Sequence, residues 1–218
     1  MAYAFISYQT NERHVAVRVH DALTSVGIQS FMAHEHIQVS EEWRLRILQE
    51  ISVCDIFLCI LSQAYLASPW CVQESGISAV RSGMAIIPLS IDGTIPPGFI
   101  GNIQSTRVDP NTLWLNDLIP GLAKHDFNFT FGLMLNTLAR SRSFRGAEED
   151  FRPVLPYLNR LSPEQAVQLL RVSIGNGQVL HADLCATQYL PPLARAYGHL
   201  LTREEYETLN SVLSRYAD

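Results

Sequence analysis

Over the first half of the chain the apolar residues follow two alternating patterns. Mainly apolar runs at Tyr3–Tyr8, Ile28–Ala33, Ile56–Leu61 and Ala85–Ile91, the third of them unbroken, are separated by stretches whose apolar positions recur every three or four residues. Short continuous runs read as strands, and runs apolar throughout read as strands covered on both faces. Between the runs, Val15, Val19, Ala22, Leu23 and Val26 form one helical stripe, and Leu45, Ile47, Leu48 and Ile51 form another. The punctuation agrees with this reading. Thr10 or Asn11 stands where the first helix needs an N-cap, and Gly27 lies just past its end. Ser40 caps the second helix, with Trp43 at its third position. Ser68 followed by Pro69 starts a third helix, which Gly83 ends. Strands that alternate with helices of a dozen residues predict βαβ units and a parallel sheet.

After Asp92 the pattern loosens. Gly93–Gly98 is a loop, Ser105–Val108 is a short fifth strand, and Leu115–Leu138 is helical with interruptions at Pro120-Gly121 and Phe127–Phe129. The composition changes near Ser141. Arg140, Arg142 and Arg145 alternate with small or polar residues, and Gly146 and the acidic cluster Glu148-Glu149-Asp150 follow. This predicts a linker and two domains, 1–140 and 141–218. Ser162-Pro163-Glu164-Gln165 and Thr202-Arg203-Glu204-Glu205 are capping boxes, each followed by a helical apolar face and by no strand pattern. The second domain is therefore expected to be all helical. It carries no catalytic constellation.

Composition narrows the classes. The 218 residues are 47% hydrophobic and 17% charged, values of an ordinary globular chain with a real core. A net charge of -5 without a basic tail argues against nucleic acid as a partner. The start, Met1–Ile6, has no basic, cleavable leader pattern, and no apolar stretch approaches the roughly 18 residues of a membrane span. The expected setting is the cytoplasm, with no membrane partner. The cysteines, Cys54, Cys59, Cys71 and Cys185, form no CxxC pair, which favours buried free thiols over a metal site or a disulfide framework.

The candidate chemistry centres on Ser68-Pro69-Trp70-Cys71-Val72-Gln73-Glu74. Trp70 and Glu74 stand one helical turn apart, directly after the apolar strand Ile56–Leu61. A strand that hands over to such a helix carries both side chains to the carboxyl edge of the sheet, where open α/β sheets bind ligands. There a tryptophan can stack on a flat cationic ring, and a glutamate can act on the sugar bonded to it. The first strand ends at the same edge, which puts Phe5, Ser7, Tyr8 and Gln9 among the expected substrate-binding residues; Ser7 offers a hydroxyl, and Phe5 also suits the core. Ser62 and Tyr65 precede the helix of Glu74 and can line the same site. No GxGxxG follows the first strand and no GxSxG elbow surrounds a serine. His125, His181 and His199 are scattered without partners.

Four landmarks in order resemble the Toll/interleukin-1 receptor (TIR) domain family: Ala4-Phe5-Ile6-Ser7-Tyr8, Phe31–Ile37 with Ser40-Glu41-Glu42-Trp43, Leu61-Ser62, and Trp70-x-x-x-Glu74. The resemblance covers residues 1 to about 138. It implies a flavodoxin-like sheet of five parallel strands in order 2-1-3-4-5, followed here by a small all-α module. The family holds non-enzymatic domains that act by homotypic association, and enzymes that hydrolyse or cyclise NAD. Fold alone does not choose between the two.

The resemblance is to the bacterial NAD-cleaving type associated with anti-phage defence of the Thoeris kind. It implies Glu74 as the catalytic residue and Trp70 as a substrate-positioning residue, with NAD as substrate and no separate cofactor. The product would be ADP-ribose or a cyclic isomer, which a downstream effector could sense. The resemblance also implies oligomers through TIR–TIR contacts, with His34, Glu35, His36 and Ile37 in a loop that gates the pocket or mediates assembly. That role outweighs a metal site, for which an HxH without further ligands is weak. Several NAD-cleaving relatives carry basic residues after the first strand where this chain has Gln9 and Thr10, so how the phosphates are held is not visible. The helical module would sense a trigger or drive assembly, or simply extend the fold.

Overall fold

The computed structural model describes residues 2–32 and 42–216. The chain divides into two compact units, Met1–Asp126 and Phe127–Asp218. The helix Phe127–Ala139 belongs to the second, so that unit begins ahead of the composition change at Ser141. Among the described residues no helix is long and apolar enough to cross a membrane.

The first unit is a five-stranded parallel sheet in the order β2-β1-β3-β4-β5. Its strands are β1 (Tyr3–Ser7), β2 (Gln29–Met32), β3 (Ile56–Leu61), β4 (Ala85–Ser90) and β5 (Thr106–Arg107). The helices are α1 (Arg13–Ser25), α2 (Trp43–Val53), α3 (Gln63–Ala67), α4 (Pro69–Ala79) and α5 (Leu115–His125). The flavodoxin-like order expected for the first unit is the one observed. All six residues of β3 are buried, as a central parallel strand requires. Phe5 of β1 lies in register between Phe31 and Phe57, with ring centroids 5.5 Å and 5.7 Å away. This aromatic row fills the core beside Ile47, Ile51 and Tyr65.

Several local expectations shift for identifiable reasons. The first helix starts at Arg13, because Gln9 first caps a 3-10 turn, Thr10–Glu12, with its Oε1 accepting from the Asn11 N–H at 2.6 Å. Gly27 does follow α1, at φ +79°, where a residue without Cβ is favoured. The second helix starts at Trp43; its expected cap, Ser40, lies outside the described residues. Helix α4 stops at Ala79 rather than at Gly83. Arg81 then donates to the carbonyls of Ile51 and Cys54, at 2.7 Å and 2.6 Å, which ties the turn down before β4.

Pro120 does not interrupt α5; the helix runs through it to His125 and ends at the extended residue Asp126. An interior proline costs about 3 kcal/mol, and burial of Leu118, Ile119 and Leu122 offsets it. Gly121 permits this approach: a Cβ there would lie 2.7 Å from Ile87 Cγ2 of β4.

The second unit is helical throughout its described residues. Both expected capping boxes are present, at Ser162/Gln165 and at Thr202/Glu205. Its core gathers Phe151, Leu169, Leu170, Leu190 and Leu209. A π-helical segment, Cys185–Tyr189, leads directly into the helix Leu190–Tyr197.

Candidate active site

Helix α4 begins as its sequence dictates. Ser68 caps it, its Oγ accepting from the Cys71 N–H, and Pro69 occupies the first helical position. The helix then turns Cys71, Glu74, Ser75 and Ser78 inward. Glu74 is only 6% exposed, a rare environment for a carboxylate. It meets Ser7, the last residue of β1, whose Oγ donates to Glu74 Oε2 at 2.5 Å. The carboxyl edge of the sheet therefore joins the end of its first strand to the helix behind its third.

A hydrogen-bond chain extends from this contact. Tyr65, fully buried on α3, has its hydroxyl 2.8 Å from Ser7 Oγ, 2.8 Å from Ser75 Oγ and 3.0 Å from the Cys71 carbonyl. With Glu74 ionised, Ser7 spends its only proton on the carboxylate. Tyr65 must then donate to Ser7, sharing its proton with the Cys71 carbonyl, and Ser75 donates to Tyr65. With Glu74 protonated the chain can reverse: Glu74 donates to Ser7, Ser7 to Tyr65, and Tyr65 to the Cys71 carbonyl. The network thus satisfies either charge state of Glu74.

Burial pushes the Glu74 carboxyl up to about 7, against the pull of the Ser7 hydrogen bond, and no cation contributes. Carboxyl groups perturbed in this way cluster at functional sites, which makes Glu74 a candidate. The neighbouring thiols are the reverse case. Burial raises Cys71 to about 11 and Cys59 further, so both remain protonated and unreactive. Burial likewise raises Tyr65 well above the ordinary phenol range.

The other sequence-selected residues divide among several places. Trp70, on the first turn of α4, is 41% exposed, and its ring lies edge-on to Trp43 with centroids 4.0 Å apart. Phe5 is enclosed in the aromatic row and presents no face to a ligand. Tyr8 is buried behind β1. Gln9 spends its side-chain oxygen on the turn it caps. Ser62 caps α3, accepting from the Tyr65 N–H at 3.0 Å, and donates to Glu12 Oε1 at 2.7 Å. Ser7, Tyr65 and Glu74 are therefore brought together; Ser62 stands beside them through Tyr65, Phe5 lies in the core, and Gln9 caps the turn after β1. His34, Glu35, His36 and Ile37 lie outside the described residues.

Sequence reasoning missed Ser75 and Glu12. Ser75 adjoins Glu74 on the helix, but nothing in its spacing announces Tyr65. Glu12 stands five residues after Ser7 in what reads as a solvated helix start, yet it is buried. Among the described residues no group of three or more His, Cys, Asp or Glu could hold a metal ion. A groove of about 650 Å³ opens at the opposite end of β4, lined by residues such as Ile86, Ile103, Pro120 and Lys124; it contains no carboxylate.

Comparison with known proteins bears on the whole of this unit. No curated protein matches the chain. A crystal structure of the TIR domain of the Toll-related receptor TRR-2 from Hydra magnipapillata is similar at 16% identity and a TM-score of 0.46, covering 58% of this chain and 96% of that one. The sequence matches the family model of the TIR domain over residues 4–115, just over half of the chain, which spans β1 to the start of α5 and includes the whole Ser7–Tyr65–Glu74 network. The chain belongs to the TIR domain family.

Proposed function

We propose that the first unit cleaves NAD at the bond between nicotinamide and ribose, with Glu74 as its catalytic carboxylate. The observation that carries this reading is Glu74 itself: buried at the carboxyl edge, oriented by Ser7, and raised to about 7 without a cation beside it. Nicotinamide in NAD is a cationic leaving group. When its C–N bond breaks, the electron pair goes to the ring nitrogen, which leaves neutral and needs no proton. Positive charge develops on the ribose ring, and a nearby carboxylate stabilises it. Water then attacks the anomeric carbon and releases a proton to give ADP-ribose. Attack by a nucleophile of the same dinucleotide gives a cyclic isomer instead. Trp70, half out at the first turn of the same helix, supplies an aromatic face for a base.

In this reading the chain is a bacterial-type TIR enzyme of anti-phage defence. It depletes NAD or makes a nucleotide signal for a downstream effector, and the helical unit serves regulation or assembly. Chromatography with mass detection of NAD incubations tests it. Wild-type protein, including protein forced to oligomerise, should release nicotinamide, and Glu74→Gln should release none while keeping its fold. Intact NAD after long incubation of the oligomer removes the enzymatic reading.

A second reading is an assembly module acting through TIR–TIR contacts. The exposed apolar residues Trp43, Leu45 and Leu48 of α2, with Trp70 beside them, favour it. It predicts self-association without nicotinamide release, unchanged by Glu74→Gln.

A further inference from the structure

Glu12 is a second buried carboxylate at the same edge, and the mechanism above does not use it. It closes the 3-10 turn behind β1 and is 7% exposed, whereas Thr10, Asn11 and Arg13 around it face solvent. Its Oε1 accepts from Ser62 Oγ at 2.7 Å, and Ser62 is itself pinned by its capping bond to the Tyr65 N–H. Its Oε2 is enclosed and has no hydrogen-bond partner. Buried polar atoms are nearly always satisfied, and a carboxylate oxygen is among the costliest to leave bare. The Ser62 bond fixes the carboxyl plane, so the direction of the bare oxygen is fixed as well. Ser62 and Tyr65 join Glu12 to the contact of Ser7 with Glu74: Ser62 Oγ bridges Glu12 Oε1 and the Tyr65 N–H, and the Tyr65 hydroxyl meets Ser7.

A rigidly aimed, unpaired acceptor beside a candidate catalytic carboxylate suits a ligand donor. We propose that Glu12 is a substrate-binding residue whose Oε2 accepts a hydrogen bond from the nicotinamide-riboside half of the dinucleotide. This rests on the reading of the first unit as an NAD-cleaving enzyme. That half carries only two kinds of uncharged donor, the carboxamide N–H and the ribose hydroxyls.

The test uses the full chain carrying Glu74→Gln, which permits binding without turnover. Calorimetry with NAD is compared with and without Glu12→Gln. Glutamine keeps the size of the side chain and its acceptor for Ser62 but places a donor where Oε2 stood. Dissociation constants should rise at least about tenfold, the scale of a lost hydrogen bond to a charged group, while the melting temperature stays or rises because a bare buried charge is gone. An unchanged constant overturns the proposal, as does a lowered melting temperature with binding intact.

Analogues identify the donor. The 3-acetylpyridine dinucleotide lacks the carboxamide N–H, and 2′- and 3′-deoxyribose dinucleotides lack one hydroxyl each. The analogue missing the donor should bind about tenfold more weakly to the parent, yet like NAD to the Glu12→Gln chain. Should Glu12→Gln not fold, the parent series decides alone, and equal affinity for NAD and all three analogues overturns the proposal. Nicotinamide release by wild-type protein is scored separately. Release with an unchanged Glu12→Gln constant rejects only the role of Glu12, whereas absent release rejects the reading beneath it.

Discussion

At the scale of single residues, Glu74 couples charge to stability and, on the proposed function, to turnover. Its folded pKa of about 7 lies above the ordinary carboxylate value, because burial penalises the charged form. The folded state therefore binds the proton more tightly than the unfolded one. The resulting stabilisation is fully present below the unfolded value near 4.5 and is lost as pH rises through about 7. At about 1.4 kcal/mol per pKa unit, the ionised residue costs roughly 3 kcal/mol above neutrality. Glu74→Gln should accordingly be more stable than wild type in urea denaturation at about pH 8, and this gain should shrink toward about pH 4.5; a pH-independent difference contradicts the assignment. Catalysis that needs the carboxylate rises with pH through about 7. Because the Ser7 hydroxyl lowers the Glu74 pKa, Ser7→Ala should move the midpoint of the kcat profile upward and lower kcat at neutrality. A midpoint that stays in place separates Ser7 from the tuning of Glu74.

At the scale of elements, the site is positioned by how helices start and how closely they approach the sheet. Ser68 and Pro69 announce the start of α4 in the sequence, and the cap is found where they stand. Removing it by Ser68→Ala should cost about 1 kcal/mol and lower the melting temperature by several degrees, without shifting the pH midpoint of turnover. Helix α5 was legible as a helix, but its continuation through Pro120 was not. Local propensity opposes the proline, and only the apolar contacts of Leu118, Ile119 and Leu122 outweigh it. Gly121 is the contact point: Gly121→Ala drives a Cβ into Ile87, and overpacking of that kind costs about 1–3 kcal/mol. The denaturation midpoint should fall, and adding Ile87→Val, which removes part of the obstruction, should restore some of it. A neutral Gly121→Ala would show that the helix moves away freely.

At the scale of the whole molecule, the chain holds two compact units of different class, Met1–Asp126 and Phe127–Asp218. The second has its own buried core and its own capping boxes. Residues 127–218 produced alone should give a helical circular dichroism spectrum and melt cooperatively; a non-cooperative melt would show that they depend on the first unit. The composition change at Ser141 marks the acidic and basic surface of the second unit. The helix Phe127–Ala139, apolar and unremarked by charge, joins it by packing instead.

Strand positions and helix starts follow from the linear chain, because periodicity and capping are local; the strand order and the choice of Glu74 rest on the resemblance to the TIR family. Buried runs such as Ile56–Leu61 admit one environment only, and Ser68-Pro69 admits one place in a helix. What the carboxylate touches is not local. Ser7 and Glu74 are 67 residues apart, and Ser62 and Glu12 are 50 apart. Their pairing depends on which strands become neighbours and on how far each helix advances over the sheet edge. Tertiary packing alone buried Glu12 and set Trp70 against Trp43. Burial acts on a side chain through neighbours remote in sequence, so Glu12 reads as a solvated residue in the chain and is an enclosed one in the fold.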